Sequence, residues 1–144
     1  MAETAFLNGK VRKRSLPAFE LPLAPDAPTV KRLLLPQGEL AQFYDANEGV
    51  RYLAFIELLP GTVRGNHYHT VKEEWVYMIA GEAALIVEDI QTRERQSVPL
   101  KEGDLTLIST SIAHAIKVEK DGQAVEFSAS RFDAADIHRY PLAS

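Results

Sequence analysis

The stretch Gly61-Thr62-Val63-Arg64-Gly65-Asn66-His67-Tyr68-His69, with Glu74 and Gly81 close behind it, decides the fold of this 144-residue chain. In an extended strand successive side chains point to opposite faces, so His67 and His69 share one face and Tyr68 leaves from the other. Two imidazoles then look into one space. Farther on, Gly103 is followed by a short apolar run over 105–108 and then by a third imidazole, His114.

Outward from this block, short apolar runs alternate with turn signals, the pattern of an all-β sandwich or barrel. Residues 51–59 form one strand candidate, ending at Pro60-Gly61. Residues 74–80 are expected to turn at Gly81 into 83–88, and 96–100 to reach a turn at Glu102-Gly103. Asp121-Gly122 lies between 113–118 and 123–130 and predicts an antiparallel hairpin, because such a turn needs positive φ at both central positions. In the strand after the histidines, Glu74, Val76 and Met78 share a face opposite to Glu73, Trp75, Tyr77 and Ile79. Only one of the two glutamates can therefore point inward. Trp75, Tyr77, Phe55 and Phe127 lie in strand patterns and are expected to pack.

The two blocks, Gly61 through His67, His69 and Glu74 to Gly81, and Gly103 to His114, resemble the two sequence motifs of the cupin superfamily over about residues 61–118. The resemblance implies an all-β, cupin-type double-stranded β-helix, a jelly-roll barrel. It makes His67, His69, Glu74 and His114 metal-ligand candidates, and its spacing favours Glu74 over Glu73. Neutral imidazoles with a carboxylate suit a divalent transition metal (iron, manganese, nickel, cobalt, copper or zinc), and spacing does not choose among them. The second block departs from the family at Ser109, Ser111 and Val118, where proline, glycine and asparagine are common. The hydroxyls of Ser109, Thr110 and Ser111 are expected to hold a turn there.

Residues 1–29 are read as an extended N-terminal arm, because Pro17, Pro22, Pro25 and Pro28 each remove a backbone donor and discourage helix before them. Residues 30–132 form the barrel, and 133–144 a tail packing on it, with a helix-compatible stretch at 134–137 and His138 at the surface. The basic run Lys10-Val11-Arg12-Lys13-Arg14 is read as a solvated face.

A net charge of -4 disfavours a general nucleic-acid binder, which needs a basic surface, and points to small molecules as partners. With no cysteine there are no disulfides and no thiolate chemistry. No run of about 18 apolar residues occurs, so no membrane span is expected, and a soluble cytoplasmic protein is the plain expectation.

The preferred function is a metal-dependent enzyme, an oxygenase, isomerase or hydrolase, acting on a small polar or anionic molecule at the three-histidine, one-glutamate centre. There Glu74 and His69 are the catalytic candidates, since a weakly held carboxylate could leave the metal and accept a proton. Arg64 and Lys72 flank the block as candidate substrate contacts. The alternative is a metal-free sugar-nucleotide keto-isomerase or epimerase, with His67 or His69 shuttling a proton and Arg64 holding phosphate. It rests on the likeness of residues 63–69, Lys72 and 132–140 to cupins of polysaccharide-building pathways. A third possibility is a binding or sensing module without turnover. Strand edges left open by such a barrel predict a homodimer.

Overall fold

Two long strands that bend past one another organise the chain. In the computed structural model, which describes residues 2–144, the strands run in order β1 (Glu3–Phe6), β2 (Val11–Ser15), β3 (Ala18–Phe19), β4 (Lys31–Leu35), β5 (Gly38–Gln42), β6 (Tyr52–Leu58), β7 (Val63–Tyr68), β8 (Glu74–Asp89), β9 (Arg95–Lys101), β10 (Asp104–Ile108), β11 (Ile112–Ser128) and β12 (His138–Arg139). A 3-10 turn at Ala134–Asp136 precedes β12.

Nine strands form one curled sheet in the order β1-β2-β10-β8-β11-β7-β12, with β6 also paired to β11 and β9 to β8. The other three, β3, β4 and β5, form a small separate sheet. The first half of β11 pairs with β7 through His114 to Lys117, and its second half with β6 through Gly122 to Ser128. β8 runs beside both halves.

Neither Gly81 nor Asp121-Gly122 ends a strand, which corrects the two turns expected there. Both lie inside continuous strands, at the place where the β8–β11 register slips. A Cβ on Gly81, at φ +95, would sit 2.7 Å from the Lys120 carbonyl oxygen, and one on Gly122 would overlap the carbonyl of Ala80. Turn chemistry and bulge chemistry use the same residues, and here the extra residue bends the strand instead of reversing it. The bend also changes parity. On β8 the interior set is Val76 and Met78 before Gly81, and Ala83, Leu85 and Val87 after it.

Two apolar clusters result. The barrel interior is filled by Val11, Leu58, Met78, Leu85, Val98 and their neighbours, several without solvent contact, each stabilising by about 1.5–3 kcal/mol on burial. The second cluster lies between the large and small sheets, where Phe43 stacks on Tyr77 at 4.2 Å between centroids and Trp75 on Phe127 at 5.9 Å. Three of the four aromatics expected to pack do so. Phe55 does not: it is 66% exposed, beside Leu53 at 68%, on the outer face of β6.

The first half of the expected arm is a hairpin, β1 with β2, that extends the large sheet by pairing with β10. Within the basic run, Val11 alternates inward and is fully buried, while Lys10 pairs with Asp89 at 2.5 Å and Lys13 with Asp104 at 3.7 Å. The turn at 109–111 is held by main-chain bonds, Ser109 N to Lys10 O and Ser111 N to His69 O, in place of the expected hydroxyl bonds. No helix among the described residues is long and apolar enough to cross a membrane.

Candidate functional site

Two special backbone positions build the site. Gly65, at φ +92, lets β7 press against β11; a Cβ there would lie 2.8 Å from the His114 carbonyl oxygen. Asn66 takes φ +58, a conformation asparagine tolerates better than most residues. Its side chain accepts from the amides of Leu142 and Ala143 at 2.8 and 3.1 Å, which binds the tail to β7. The register then sets His67 opposite His114.

The structure brings His67, His69, Glu74 and His114 together. Ring centroids of His67 lie 4.9 Å from His69 and 4.8 Å from His114. Strand parity turns Glu74 inward, 3% exposed, and leaves Glu73 outside. Glu74 has two cationic neighbours: His114 Nε2 is 3.0 Å from Oε2, and Lys72 Nζ is 3.3 Å from Oε1. Burial opposes its charge, but His114 and then Lys72 outweigh that and hold the carboxyl well below the usual carboxylate range. For His114 burial again works against the charge, and the carboxylate of Glu74 facing it at 3.0 Å wins, so its pKa rises.

His67 and His69 behave the opposite way. Burial, with help from the neighbouring imidazoles, lowers His67 to about 4, and burial also lowers His69, so both rings are neutral near pH 7. His69 Nδ1 donates to the Asp136 carbonyl at 2.8 Å, and His114 Nδ1 donates to the Ile112 carbonyl at 3.0 Å. These bonds leave Nε2 of His69 without a partner; Nε2 of His114, although near Glu74, lies off the line of a well-aligned hydrogen bond.

A cavity of about 640 Å³ opens over the cluster, with Arg51, Lys72, Arg131 and Phe132 among its lining residues. A side chamber of about 240 Å³ shares Tyr52, His67, Glu74 and Glu126 with it. Arg64 lines the side chamber and donates to the Glu57 carbonyl, so it stands apart from the main mouth.

Several contributors escaped the sequence reading. Glu126 is pushed up to about 7, first by burial and then by the charge of Glu74. The Tyr52 hydroxyl donates to it at 3.4 Å, and Lys72 stands 4.2 Å above the Tyr52 ring. Asp136 holds the turn that carries Lys72. An acidic residue on the interior parity of a predicted strand was the available signal for Glu126, since Ala124, Glu126 and Ser128 alternate on one face. His138 is half-buried and stacks on Tyr68 at 4.9 Å, closer to the site than a free surface residue of the tail.

A metal fits this cluster only in part. The ligand atoms of His67, His69 and His114 lie within 4.8 Å of one another, whereas two nitrogens about 2.1 Å from one zinc are separated by at most about 4.2 Å. The rings would have to draw in. The partnerless Nε2 of His69 and the poorly aligned one of His114 are the donor type a metal takes, but Glu74 already has Lys72 as a cation.

Residues 36–131 match the family model described as the polysaccharide biosynthesis C-terminal domain. No curated protein matches the chain. Among solved structures, a 3,4-ketoisomerase from Helicobacter canadensis aligns at 14% identity and TM-score 0.67, covering 77% of this chain and 86% of its own. The dTDP-6-deoxy-D-glucose-3,5-epimerase RmlC from Legionella pneumophila, solved with dTDP-4-keto-L-rhamnose, aligns at 14% identity and TM-score 0.73 over 94% of this chain and 75% of its own. The capsular polysaccharide assembling protein CapF from Staphylococcus aureus aligns at 17% identity and TM-score 0.60 over 64% of this chain but only 27% of its own. These likenesses establish the fold as an RmlC-like cupin jelly roll.

Proposed function

Because the chain belongs to the polysaccharide biosynthesis C-terminal domain family, we propose that it is a sugar-nucleotide enzyme, a keto-isomerase or epimerase that moves a proton on the carbon beside a sugar carbonyl. This reverses the order of the two enzymatic readings drawn from sequence: the neighbours are sugar-nucleotide ketoisomerases and epimerases, and they support the metal-free alternative.

The observation that carries the proposal is His69. It is neutral, its Nδ1–H is fixed on a carbonyl, its buried Nε2 has no partner, and the residue is part of the wall of the 640 Å³ cavity. A base so prepared can take a proton from the carbon next to a carbonyl, and the electron pair moves onto the carbonyl oxygen. Lys72 stabilises the resulting enediolate by its charge. Passage of the neighbouring hydroxyl's proton to the former carbonyl oxygen, with return of the carbon-bound proton to the former carbonyl carbon, completes an isomerisation; return to the same carbon from the other face completes an epimerisation. Arg51 and Arg131 at the mouth, in place of Arg64, hold the diphosphate, and the exposed ring of Phe132 offers a face for the base.

Deuterium uptake tests this directly. With TDP-4-keto-6-deoxyglucose in D₂O, NMR should show label entering beside the carbonyl, with EDTA present as well as without it. A panel of keto-sugar nucleotides that binds yet takes up no label would sink the enzymatic reading and leave a binding module.

A divalent metal on His67, His69, Glu74 and His114 is the second reading, favoured by the unpaired or poorly aligned Nε2 atoms. Such an ion would polarise the sugar carbonyl and would take up the lone pair of His69 Nε2, so the proton would pass to a group other than His69. Elemental analysis of protein purified without chelator, and exchange lost with EDTA and regained with one added ion, would place it ahead of the metal-free scheme.

In either scheme the protein works in the cytoplasm as a homodimer, which would cover Leu53 and Phe55 and the open edge of β6. Light scattering at micromolar concentration tests the dimer, and a monomer there would refute it.

A further inference from the structure

The 3-10 turn near the end of the chain reaches into the site through one residue. Asp136 is 7% exposed and, with its carbonyl and its side chain, touches four consecutive residues of the turn that leaves β7. Its carbonyl oxygen accepts from His69 Nδ1 at 2.8 Å. Oδ1 accepts from the amide and the hydroxyl of Thr70, both at 2.7 Å, and Oδ2 accepts from the amides of Val71 and Lys72, both at 3.1 Å. His138 Nε2 stands 3.5 Å from Oδ1.

From this geometry we infer that Asp136 is the positioning residue of the site, setting the tautomer of His69 and the placement of Lys72 together. An imidazole nitrogen is a base only when it carries no proton, and which nitrogen carries it is decided by the partner of the other. The Asp136 carbonyl decides it here: Nδ1 is the donor and Nε2 the acceptor. The carbonyl stays at that position because the carboxylate of the same residue is fixed by four donors. The same carboxylate closes the turn at the amide of Lys72, whose ammonium then meets Glu74 at 3.3 Å. The turn carrying Asp136 is anchored on both sides: Asp133 accepts from the Ala135 amide at 3.0 Å before it, and β12 pairs with β7 after it.

This inference rests on the proposed proton transfer only for its kinetic consequence; the tautomer can be read without substrate. In protein labelled with ¹⁵N-histidine, at pH 8 with EDTA, long-range ¹H–¹⁵N spectra should show His69 as a single Nδ1–H tautomer. Asp136→Ala should turn it into a mixture, and Asp136→Asn, which sets an amide NH₂ against backbone donors, should do the same. Turnover should fall about tenfold or more in kcat, with KM within about twofold. If Asp136→Ala does not fold, Thr70→Val, which removes one donor and touches no ring, should shift the tautomer in the same direction by less. A His69 that keeps one Nδ1–H tautomer in every folded variant overturns the inference. A shifted tautomer in a protein that exchanges no sugar proton upholds it and refutes the proposed reaction instead.

Discussion

The ammonium of Lys72 lies 3.3 Å from one oxygen of Glu74, while the other oxygen faces His114 at 3.0 Å. A buried carboxylate between two cations is stable only while both remain, because removing one leaves charge uncompensated in a poorly solvated place. Lys72→Met keeps the length of the side chain and loses the charge. It should cost about 1–3 kcal/mol in urea unfolding, and deuterium exchange should fall with it.

Proton transfer through His69 predicts a clean loss. His69→Gln can still fill the space and bond to Asp136, so folding should be preserved while exchange drops by about 10²- to 10⁴-fold. Stopped exchange with an unchanged thermal midpoint is the expected pair of results; exchange at the parental rate would remove His69 from the mechanism.

Two groups give the stability a particular pH dependence. Glu126 is raised from 4.5 to about 7, so between those values the unfolded chain is the more ionised. Its contribution is full below about pH 4.5 and is lost as pH rises through 7. His67 is lowered from 6.5 to about 4, so its contribution is full above pH 6.5 and is lost as pH falls toward 4. The two slopes oppose one another over pH 4.5–6.5 and flatten the curve there. Glu126→Gln removes one of them. Measured with EDTA, the variant should gain on the parent as pH goes from 5 to 8, by on the order of 2–3 kcal/mol. A constant difference across that range would contradict the raised Glu126.

The bend of β8 and β11 has no room for a side chain. Gly122→Ala would drive a Cβ into the Ala80 carbonyl and should cost about 4 kcal/mol or more. Gly49→Ala, with nothing within 4 Å of the new atom, should stay within about 0.5 kcal/mol. Equal effects in guanidinium unfolding would show that the crossing is looser than described.

Much of the candidate site was legible because it depends on parity. Alternation alone put His67 and His69 on one face and let only one of Glu73 and Glu74 inward, and the cupin spacing selected Glu74. What alternation cannot carry is a change of parity. Gly81 and Asp121-Gly122 read as turns because the positive φ and missing Cβ that allow a reversal also allow a bulge, and only the facing strand distinguishes them. Lys10 to Arg14 read as solvated because the partners of that strand, Asp89 and Asp104, are far away in sequence. Glu126 belongs to no motif, and Asp136 lies in the 132–140 stretch whose likeness assigned it no role. Their roles come from long-range packing against β8 and the turn after β7, and one strand's own pattern contains no record of that. Phe55 followed a packing pattern but faces outward, because the small sheet that covers Tyr77 and Phe127 leaves it bare.

A single uninterrupted strand, β11, carries His114 near one end and Glu126 near the other, with the slipped register between them. An insertion or deletion of one residue in that interval would rotate one half of the barrel's chemistry to the outside while leaving the other half in place. Evolutionary changes of length are therefore expected to collect in the segment between β5 and β6 and in the turn joining β8 to β9, where no such coupling exists. The distance in sequence from His114 to Glu126 should be held fixed wherever both residues are kept.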